Sequence, residues 1–249
     1  MRKVVAMALF INKGLILEQQ GKPDAAMAVY EEIDRRFGKD VSPDVREPVA
    51  LALVNKGLIL GQQGKPDAAM AVYEEIDRRF GQDASLGVRP PIAWALFNKG
   101  AALGQQSKPD AAMAVYDELD RRFGQDASPD ARKVIAMAQG NLAEALLVHG
   151  RHAEAAQKIR QVRQKVDASD EISAIMPFLL WLAEPQTPLR EVRDAIAALS
   201  PNVKLSWNFD DVRPLATQLP EPRKTEAQCF IAFFETHHDG GKLDACLKK

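Results

Sequence analysis

The stretch Lys-Pro-Asp-Ala-Ala-Met-Ala-Val-Tyr at residues 22–30 decides the fold, because the chain contains it three times. It returns at 65–73 and at 108–116, which is a spacing of 43 residues in both cases. Residues 10–38 and 53–81 agree at 26 of 29 positions, and the next copy at 96–124 agrees with 53–81 at 23 of 29. Identity over a fixed period indicates internal repeats of one structural unit.

Each unit is predicted to be a pair of helices. In the first copy, the first helix ends near Gln20, and Pro23 opens the second helix, because proline is accepted only in a helix's first turn. The second helix runs to Phe37, where Gly38 is expected to stop it. Small residues of one helix are placed against large residues of the other, so that the pair can interlock: Gly14 and Ala26 against Tyr30 and Phe37.

The opposite face of the second helix is charged. Asp24, Glu31, Glu32 and Arg35 lie there, and Glu31–Arg35 and Glu32–Arg36 have the favourable i,i+4 order. We interpret this face as solvated surface and not as a site.

These positions resemble the tetratricopeptide repeat signature. Its spacing is matched by Gly14, Leu17, Gly21, Ala26 and Tyr30, by Gly57, Leu60, Gly64, Ala69 and Tyr73, and by Gly100, Leu103, Ala112 and Tyr116. The chain departs from the family in its period, which is 43 residues and not the usual 34, as in long-period repeats of the bacterial type. Lysine stands where the family usually has leucine (Lys13, Lys56, Lys99), and Gly38, Gly81 and Gly124 replace the family's closing proline. The extra residues predict first helices longer than the family norm, starting at N-cap signals such as Ser42-Pro43-Asp44 and Ser128-Pro129-Asp130.

The resemblance implies an all-α fold, a right-handed α-α superhelix (solenoid) of stacked helical hairpins. We predict four repeats within residues 1–168, at about 3–38, 43–81, 88–124 and 130–167, the last a diverged copy. Residues 169–249 are predicted to form an irregular helical C-terminal cap that could contain degenerate repeats, because solenoids need sealed ends.

The first helices should line the concave side of such a stack. The helical wheel places one set of residues opposite the packing face, and these form the predicted binding groove: Ile11, Asn12, Leu15, Gln19, Val54, Asn55, Leu58, Gln62, Trp94, Phe97, Asn98, Ala101, Gln105 and Asn141.

The groove has a row of asparagines, at 12, 55, 98 and 141. An amide side chain can both donate and accept, so it can pair with an extended backbone. In O-linked N-acetylglucosamine transferase, which has tetratricopeptide repeats, matching asparagines form a ladder that grips peptide backbone, and the resemblance implies the same possibility here. The alternative is that each asparagine bonds a neighbouring helix or loop of its own chain.

The groove is also apolar, and it varies along its length: Val54 becomes Phe97, and Leu58 becomes Ala101. This variation suits distinct pockets for a ligand. The alternative is that Trp94 and Phe97 pack against the chain's own C-terminal region. The carboxylate clamp of chaperone-binding relatives needs cations near the asparagines, but Ile11, Val54, Phe97 and Leu15 stand there, which argues against an acidic chaperone tail as ligand.

In the C-terminal part, helices are predicted at 170–183, at 187–199 after Thr187-Pro188, at 210–219 and at 221–238. Val203, Leu205, Trp207 and Phe209 alternate with polar residues, as in a short strand or an aromatic strap. The two cysteines, Cys229 and Cys246, do not make a disulfide framework, and we expect them to be reduced.

Composition narrows the function classes. The net charge of −1 gives no field that would favour nucleic acid or an anionic membrane, and no apolar run is long enough to span a bilayer. The apolar run after Met1 imitates a signal peptide, but its pattern recurs at 132–138, so we interpret it as structure and predict a cytoplasmic protein.

Candidate chemistry is sparse. His237, His238, Asp239 and Cys246 invite a metal interpretation, but neighbouring histidines project to different sides of a helix, and a solvated helix end is favoured. His149 and His152 are expected to cap a helix C-terminus. A basic run (Arg151, Lys158, Arg160, Arg163, Lys165) lacks the interleaved aromatics of an RNA-binding face and is interpreted as solvated surface.

The sequence therefore predicts a protein-protein interaction scaffold or adaptor that binds a polypeptide segment in its concave groove, with no cofactor, metal, nucleic acid or membrane. One alternative is self-association or a regulatory role, since the first helix starts without an N-cap and its apolar end could stack end to end on another copy. A remote alternative is an enzyme with its site in the C-terminal region; phosphate loops and nucleophile motifs are not found in the sequence.

Overall fold

The structure is a computed structural model of the chain. It describes residues 2–83, 85–106, 108–126, 129–164, 171–199, 207–235 and 240–248. Within these ranges the regular elements are thirteen helices, and no strand is found. The predicted all-α repeat fold is therefore confirmed.

The helices follow the predicted long–short alternation in the repeats. They are α1 (Arg2–Gln19), α2 (Pro23–Phe37), α3 (Pro43–Gln62), α4 (Pro66–Phe80), α5 (Arg89–Gln105), α6 (Pro109–Phe123), α7 (Pro129–Val148), α8 (His152–Arg163), α9 (Glu171–Ala183), α10 (Leu189–Ala197), α11 (Arg213–Gln218), α12 (Arg223–Glu235) and α13 (Gly240–Cys246). The chain divides into two compact units, Met1–Ile135 and Ala136–Lys249, and the division falls within α7.

The first unit is a stack of hairpins. Each first helix packs on the second helix of its own copy and on the second helix of the preceding copy. The first helices α1, α3 and α5 also contact one another in order, so they form one continuous layer. This layer is the surface on which the predicted groove residues stand.

Two glycines of the first hairpin are required for different physical reasons. Gly14 lies under the ring of Tyr30, where an added Cβ would be 2.5 Å from Tyr30 Cε1, so only glycine allows the two helices this close. Gly21 follows α1 in the left-handed region with φ 68°, and Lys22 N–H donates to the carbonyl of Leu17, which closes the helix in a Schellman motif. The predicted packing of small against large residues is confirmed at Gly14.

Gly38 ends α2, but not by the left-handed turn that its position after the helix suggested. Its φ is −60°, and an added Cβ would lie 2.4 Å from the Asp34 carbonyl oxygen and 2.9 Å from an Arg79 guanidinium nitrogen. Glycine is needed at this point because a side chain would meet these atoms, and its carbonyl accepts from Arg79 of the next copy over 2.7 Å.

The second unit has an aromatic core. Phe178 of α9 is fully buried, and its ring lies within 6 Å of the ring centroids of Phe209, Phe230 and Phe234. Arg223 stacks over Trp181 at 4.1 Å and donates to the carbonyl of Pro185 over 2.8 Å. The predicted helices of this region are present among the described residues, and a further helix, α13, follows α12.

The cysteines correct an expectation. Cys229 and Cys246 are joined by a disulfide that ties α12 to α13, and not reduced as the sequence suggested. Disulfides persist in oxidising surroundings, whereas reduced thiols were expected from the sequence. Cysteine count alone could not reveal that the fold brings the two Cα atoms to 5.8 Å.

Two further expectations concern the same unit. Trp207 and Phe209 belong to a segment without regular structure, which favours the strap over the strand for residues 207–209. Residues 203–206 lie outside the described part of the chain. No helix in the described ranges is long and apolar enough to cross a membrane.

Candidate polypeptide-binding surface

The predicted groove residues do not all face outward. Ile11 and Val54 are buried, at 8% and 5% exposure, so the structure does not present them in an open groove as expected. They were placed by the helical wheel, which considers one helix alone and not the helices packed against it. The outward stripe is formed by every fourth or third residue of the same helices. Its exposed members are Asn12, Leu15, Gln19, Leu58, Gln62 and Gln105, and its half-buried members are Asn55, Trp94, Asn98 and Ala101. We call this set the first-helix surface.

One asparagine of the row is bonded within the chain. Tyr30 Oη donates to Glu18 Oε1 over 2.6 Å, and the Asn55 side chain donates to the same hydroxyl from the next copy. Burial, and after it the Glu18 carboxylate, raises the pKa of Tyr30, so this hydroxyl stays protonated. Asn55 therefore has an intramolecular contact of the kind that we gave as the alternative to a ladder. Asn12 is exposed.

The third copy has an aromatic corner. Trp94 and Phe97 meet edge to face at 5.6 Å, and Phe97 contacts Tyr116 of the second helix at 6.3 Å. Both are half-buried, so part of each ring remains accessible. The corner gives the first-helix surface an aromatic patch where the second copy has Leu51 and Val54.

The lysines beside the asparagines are engaged elsewhere. Lys56 Nζ lies 2.8 Å from Glu31 Oε1, and Lys99 Nζ lies 3.5 Å from Glu74 Oε1, both on the preceding second helix. Because these lysines already pair with carboxylates of the preceding second helix, they do not supply the free cations that a carboxylate clamp needs.

The fourth copy has a resident aromatic side chain. Gly140 and Glu144 of α7 stand 43 residues after Phe97 and Ala101, and Trp207 lies on both. An added Cβ on Gly140 would be 2.4 Å from Trp207 Cη2, so glycine makes the space for the indole. Trp207 Nε1 donates to Glu144 Oε2 over 3.1 Å, and its backbone N–H donates to Glu171 Oε1 over 2.7 Å. Asn141, the fourth of the row, is half-buried beside it.

Glu144 has a strongly shifted pKa in this cluster. Burial, and then the nearby Asp211 carboxylate, raises the pKa of Glu144 to about 8, against a smaller lowering by the Trp207 hydrogen bond. Within the described residues, Glu144 Oε1 and the Gln139 side-chain nitrogen are buried without a hydrogen-bond partner. Near neutral pH the carboxyl is therefore mostly protonated, which lowers the cost of burying it.

Sequence reasoning missed this cluster, although it left a signal. At positions that are apolar in the other copies, α7 has a glycine and an acidic residue. A glycine and an acidic residue at these positions indicate that a large side chain with a hydrogen-bond donor covers the helix.

Most of the metal candidates lie outside the part of the chain that the structure describes. His237, His238 and Asp239 lie outside the described residues, and the Cys246 sulfur is in the disulfide. Elsewhere in the described ranges, no group of three or more His, Cys, Asp or Glu side chains could hold an ion. His149 Nδ1 lies 2.7 Å from the Ala145 carbonyl at the end of α7, as predicted for a helix cap, whereas His152 begins α8 and does not cap α7.

The basic run is paired with carboxylates at three of its members. Arg151 bonds Glu154 at 2.7 Å, Arg160 bonds Glu184 at 2.5 Å, and Arg163 bonds Glu191 at 3.2 Å. This pairing supports the interpretation as a solvated face.

A cavity of about 400 Å³ lies in the second unit between α8, α9 and α10. The Arg163–Glu191 ion pair forms part of its wall, and Met176 and Pro177 of α9 also line it. No histidine is among the residues that line it, so no Ser–His pair forms there with Ser173.

Comparison with known protein families agrees with the geometry. Residues 8–36 and 50–79 match one tetratricopeptide repeat model, and residues 136–161 match a second tetratricopeptide repeat model. The chain therefore contains tetratricopeptide repeats. No curated protein matches the sequence as a relative. Tetratricopeptide repeats in general mediate protein–protein interactions.

Proposed function

We propose that this protein is a scaffold that holds an extended polypeptide segment of a partner on its first-helix surface. The observation that carries the proposal is the composition of the outward stripe on α1, α3 and α5. Amide side chains (Asn12, Gln19, Gln62, Gln105) alternate there with apolar ones (Leu15, Leu58) over three packed helices. The amides of such a surface can hydrogen-bond the backbone of a bound segment, and its apolar residues can contact the side chains of that segment. The stripe itself contains no charged residue.

The stripe also defines the kind of segment. Leu15 and Leu58 are 40% and 38% exposed, and the Trp94–Phe97 corner adds accessible ring surface. Because nearby Lys56 and Lys99 already pair with carboxylates, an acidic segment gains little. The segment should be uncharged and apolar-rich, bound through its backbone and a few apolar anchors.

Trp207 supports the proposal by analogy within the chain. It lies on Gly140 and Glu144, which are the fourth-copy counterparts of Phe97 and Ala101. Its ring packs on Gly140, its indole N–H donates to Glu144, and its backbone N–H donates to Glu171. A partner segment would use the same three kinds of contact on the earlier copies.

The experiment is a peptide array followed by affinity measurement. Twelve-residue peptides of varied charge and hydropathy would be screened against the full chain, and the best ligand titrated by fluorescence anisotropy. We expect Leu58→Glu to weaken binding at least tenfold and Asn12→Ala about fivefold, since one hydrogen bond is worth about 1 kcal/mol. Gln157→Ala, which removes an exposed amide from α8, is the matched control and should change nothing. Equal affinity of the Leu58 variant and the control for every ligand would contradict the proposal.

A further inference from the structure

Trp207 covers part of α7 that is the counterpart of exposed surface in the first two copies. Glu144 stands at the place of Leu15 and Leu58 in the repeat. Both leucines are exposed, whereas Glu144 is buried under a side chain that comes from 63 residues later in the chain. The contact lies within the second unit, and it shows directly which kind of side chain this part of a first helix accepts.

Four residues form a pocket for an indole, and we call Gly140, Glu144, Glu171 and Met176 the indole pocket. A Cβ on Gly140 would lie 2.4 Å from Trp207 Cη2 and 3.0 Å from Met176 Cε, so the ring rests on the α7 backbone beside the methionine methyl group. Glu144 accepts the indole N–H over 3.1 Å, and Glu171 accepts the backbone N–H of the same residue over 2.7 Å. The pocket therefore fits a flat ring with one N–H donor, held also by its backbone.

The resident side chain does not satisfy this pocket completely. Glu144 is 7% exposed, and its Oε1 is buried without a hydrogen-bond partner among the described residues. A buried polar atom without a partner costs free energy that a suitable partner restores. A segment that brings an indole and one further polar group to Glu144 would therefore bind the pocket better than Trp207 does.

Trp207 can leave the pocket without disturbing the aromatic core. Phe209 is fully buried against Phe178 and Phe234, with centroid distances of 5.8 and 5.4 Å. Within the described ranges, Trp207 takes no part in these ring contacts and is only half-buried. Asn208, between the two, is exposed, and residues 207–209 have no regular structure. A rotation at Asn208 would thus release the indole while Phe209 stays in place.

The surroundings of the pocket are acidic. Burial, and then the Asp211 carboxylate, raises the pKa of Glu144, which shows that the two carboxyl groups are close. Asp211 is exposed, and among the described residues neither group has an ion pair with a lysine or arginine. A cation beside an incoming indole would be attracted to this side of the pocket, and an anion would be repelled.

We propose that the indole pocket is a second polypeptide-binding site, which takes up a tryptophan of a partner segment in exchange for Trp207. The partner tryptophan is accompanied by a lysine or arginine, which meets Asp211. Trp207 occupies the site as long as such a segment is absent. The site lies on α7 and α9 of the second unit, so the inference does not rest on the function proposed for the first-helix surface.

The test uses the full chain with Trp207→Ala, which empties the pocket, and short peptides with blocked ends. The first peptide copies residues 204–208, Lys-Leu-Ser-Trp-Asn. We expect it to bind with a dissociation constant of about 100 µM or lower in calorimetric titration. A peptide with naphthylalanine in place of tryptophan keeps the ring size but lacks the N–H, and it should bind at least about fivefold more weakly. Glutamate in place of the lysine should weaken binding about threefold at low salt.

Two variants of Glu144 separate its hydrogen bond from a merely structural role. In the Trp207→Ala chain, Glu144→Leu introduces the residue that the first two copies have at this place, and it should abolish the preference for tryptophan over naphthylalanine. Glu144→Gln still offers a carbonyl oxygen, and it should retain the preference.

Exchange is measured on the wild type, with 5-fluorotryptophan at its three tryptophan positions. Trp207→Phe identifies the fluorine resonance of Trp207. The peptide should move this resonance to the position of a solvent-exposed indole. Its apparent affinity should be at least about tenfold weaker than for Trp207→Ala, because the tethered side chain competes with it.

A folded Trp207→Ala chain that does not bind the tryptophan peptide at about 1 mM would overturn the proposal. Binding that depends on neither the indole N–H nor Glu144 would also overturn it. If the variant binds but about 10 mM peptide leaves the wild-type resonance in place, Trp207 is a permanent part of the fold and the exchange is contradicted. Should Trp207→Ala not fold, Trp207→Phe replaces it, and the same absence of binding would count against the site.

Discussion

The indole N–H of Trp207 donates to Glu144 across 3.1 Å, on the part of α7 that corresponds to Phe97 and Ala101. The chain thus places its own aromatic residue on the fourth copy of a surface that the earlier copies leave accessible. Glu144 belongs to the contact because a buried, protonated carboxyl accepts from an indole at a lower desolvation cost than a carboxylate would.

The pKa of Glu144 makes this contact pH-dependent. Its pKa is about 8 in the folded chain and 4.5 ordinarily, so the folded state holds the proton more tightly. The stability contributed by protonation is fully present below about pH 4.5 and is lost as the pH rises through about 8, at up to about 1.4 kcal/mol per pH unit. Chemical denaturation of the wild type at steps from about pH 5 to about pH 9 should show this fall. Glu144→Gln should flatten it, and an unchanged slope in the variant would exclude Glu144 as the group responsible.

Gly140 should be intolerant of a methyl group only while Trp207 is present. Gly140→Ala should destabilise the chain by about 1–3 kcal/mol, because the new Cβ meets the indole. In the background of Trp207→Ala the same change should cost little. Gly61→Ala is the control, since a Cβ there has nothing within 4 Å, and it should stabilise α3 slightly. A double-mutant cycle of unfolding free energies that shows no coupling between 140 and 207 would contradict the contact.

Two equivalent asparagines should differ in their effect on stability. Asn55→Ala removes a donor from the Tyr30 hydroxyl and should cost about 1 kcal/mol. Asn12→Ala removes an exposed side chain and should cost almost nothing, although both changes should weaken a ligand on the first-helix surface. Urea unfolding of the two variants measures the difference, and equal losses would mean that Asn55 has no structural role of its own.

The disulfide should be detectable and stabilising. Alkylation of the unreduced protein followed by mass spectrometry should label neither Cys229 nor Cys246. Reduction should lower the unfolding free energy by about 3 kcal/mol, the value expected for a loop of this length. The double variant Cys229→Ser with Cys246→Ser should be insensitive to reductant. Full labelling of both thiols in protein purified under air would show that the bond does not form.

The repeats could be predicted from sequence because the same local signals recur in each copy. Pro23 starts a helix, and Gly14 and Tyr30 form the close contact between the two helices of one hairpin. The helix bounds followed from them. The burial of Ile11 and Val54 could not be predicted, because a helical wheel treats one helix alone and not the helices packed against it. The Glu144–Trp207 contact joins residues 63 positions apart, and the disulfide joins a residue of α12 to one of α13, so neither pairing follows from a local pattern.

The central claim is that a partner polypeptide lies on the first-helix surface, and site-specific photo-crosslinking tests it most directly. A photo-reactive phenylalanine analogue would replace Leu58 in one protein and Arg78, on the outer side of α4, in another. After irradiation with the best array peptide and in native extract, mass spectrometry would identify the crosslinked peptides. We predict polypeptide crosslinks from position 58 and none above background from position 78. Crosslinks that arise equally from both positions, or only from 78, would contradict the account.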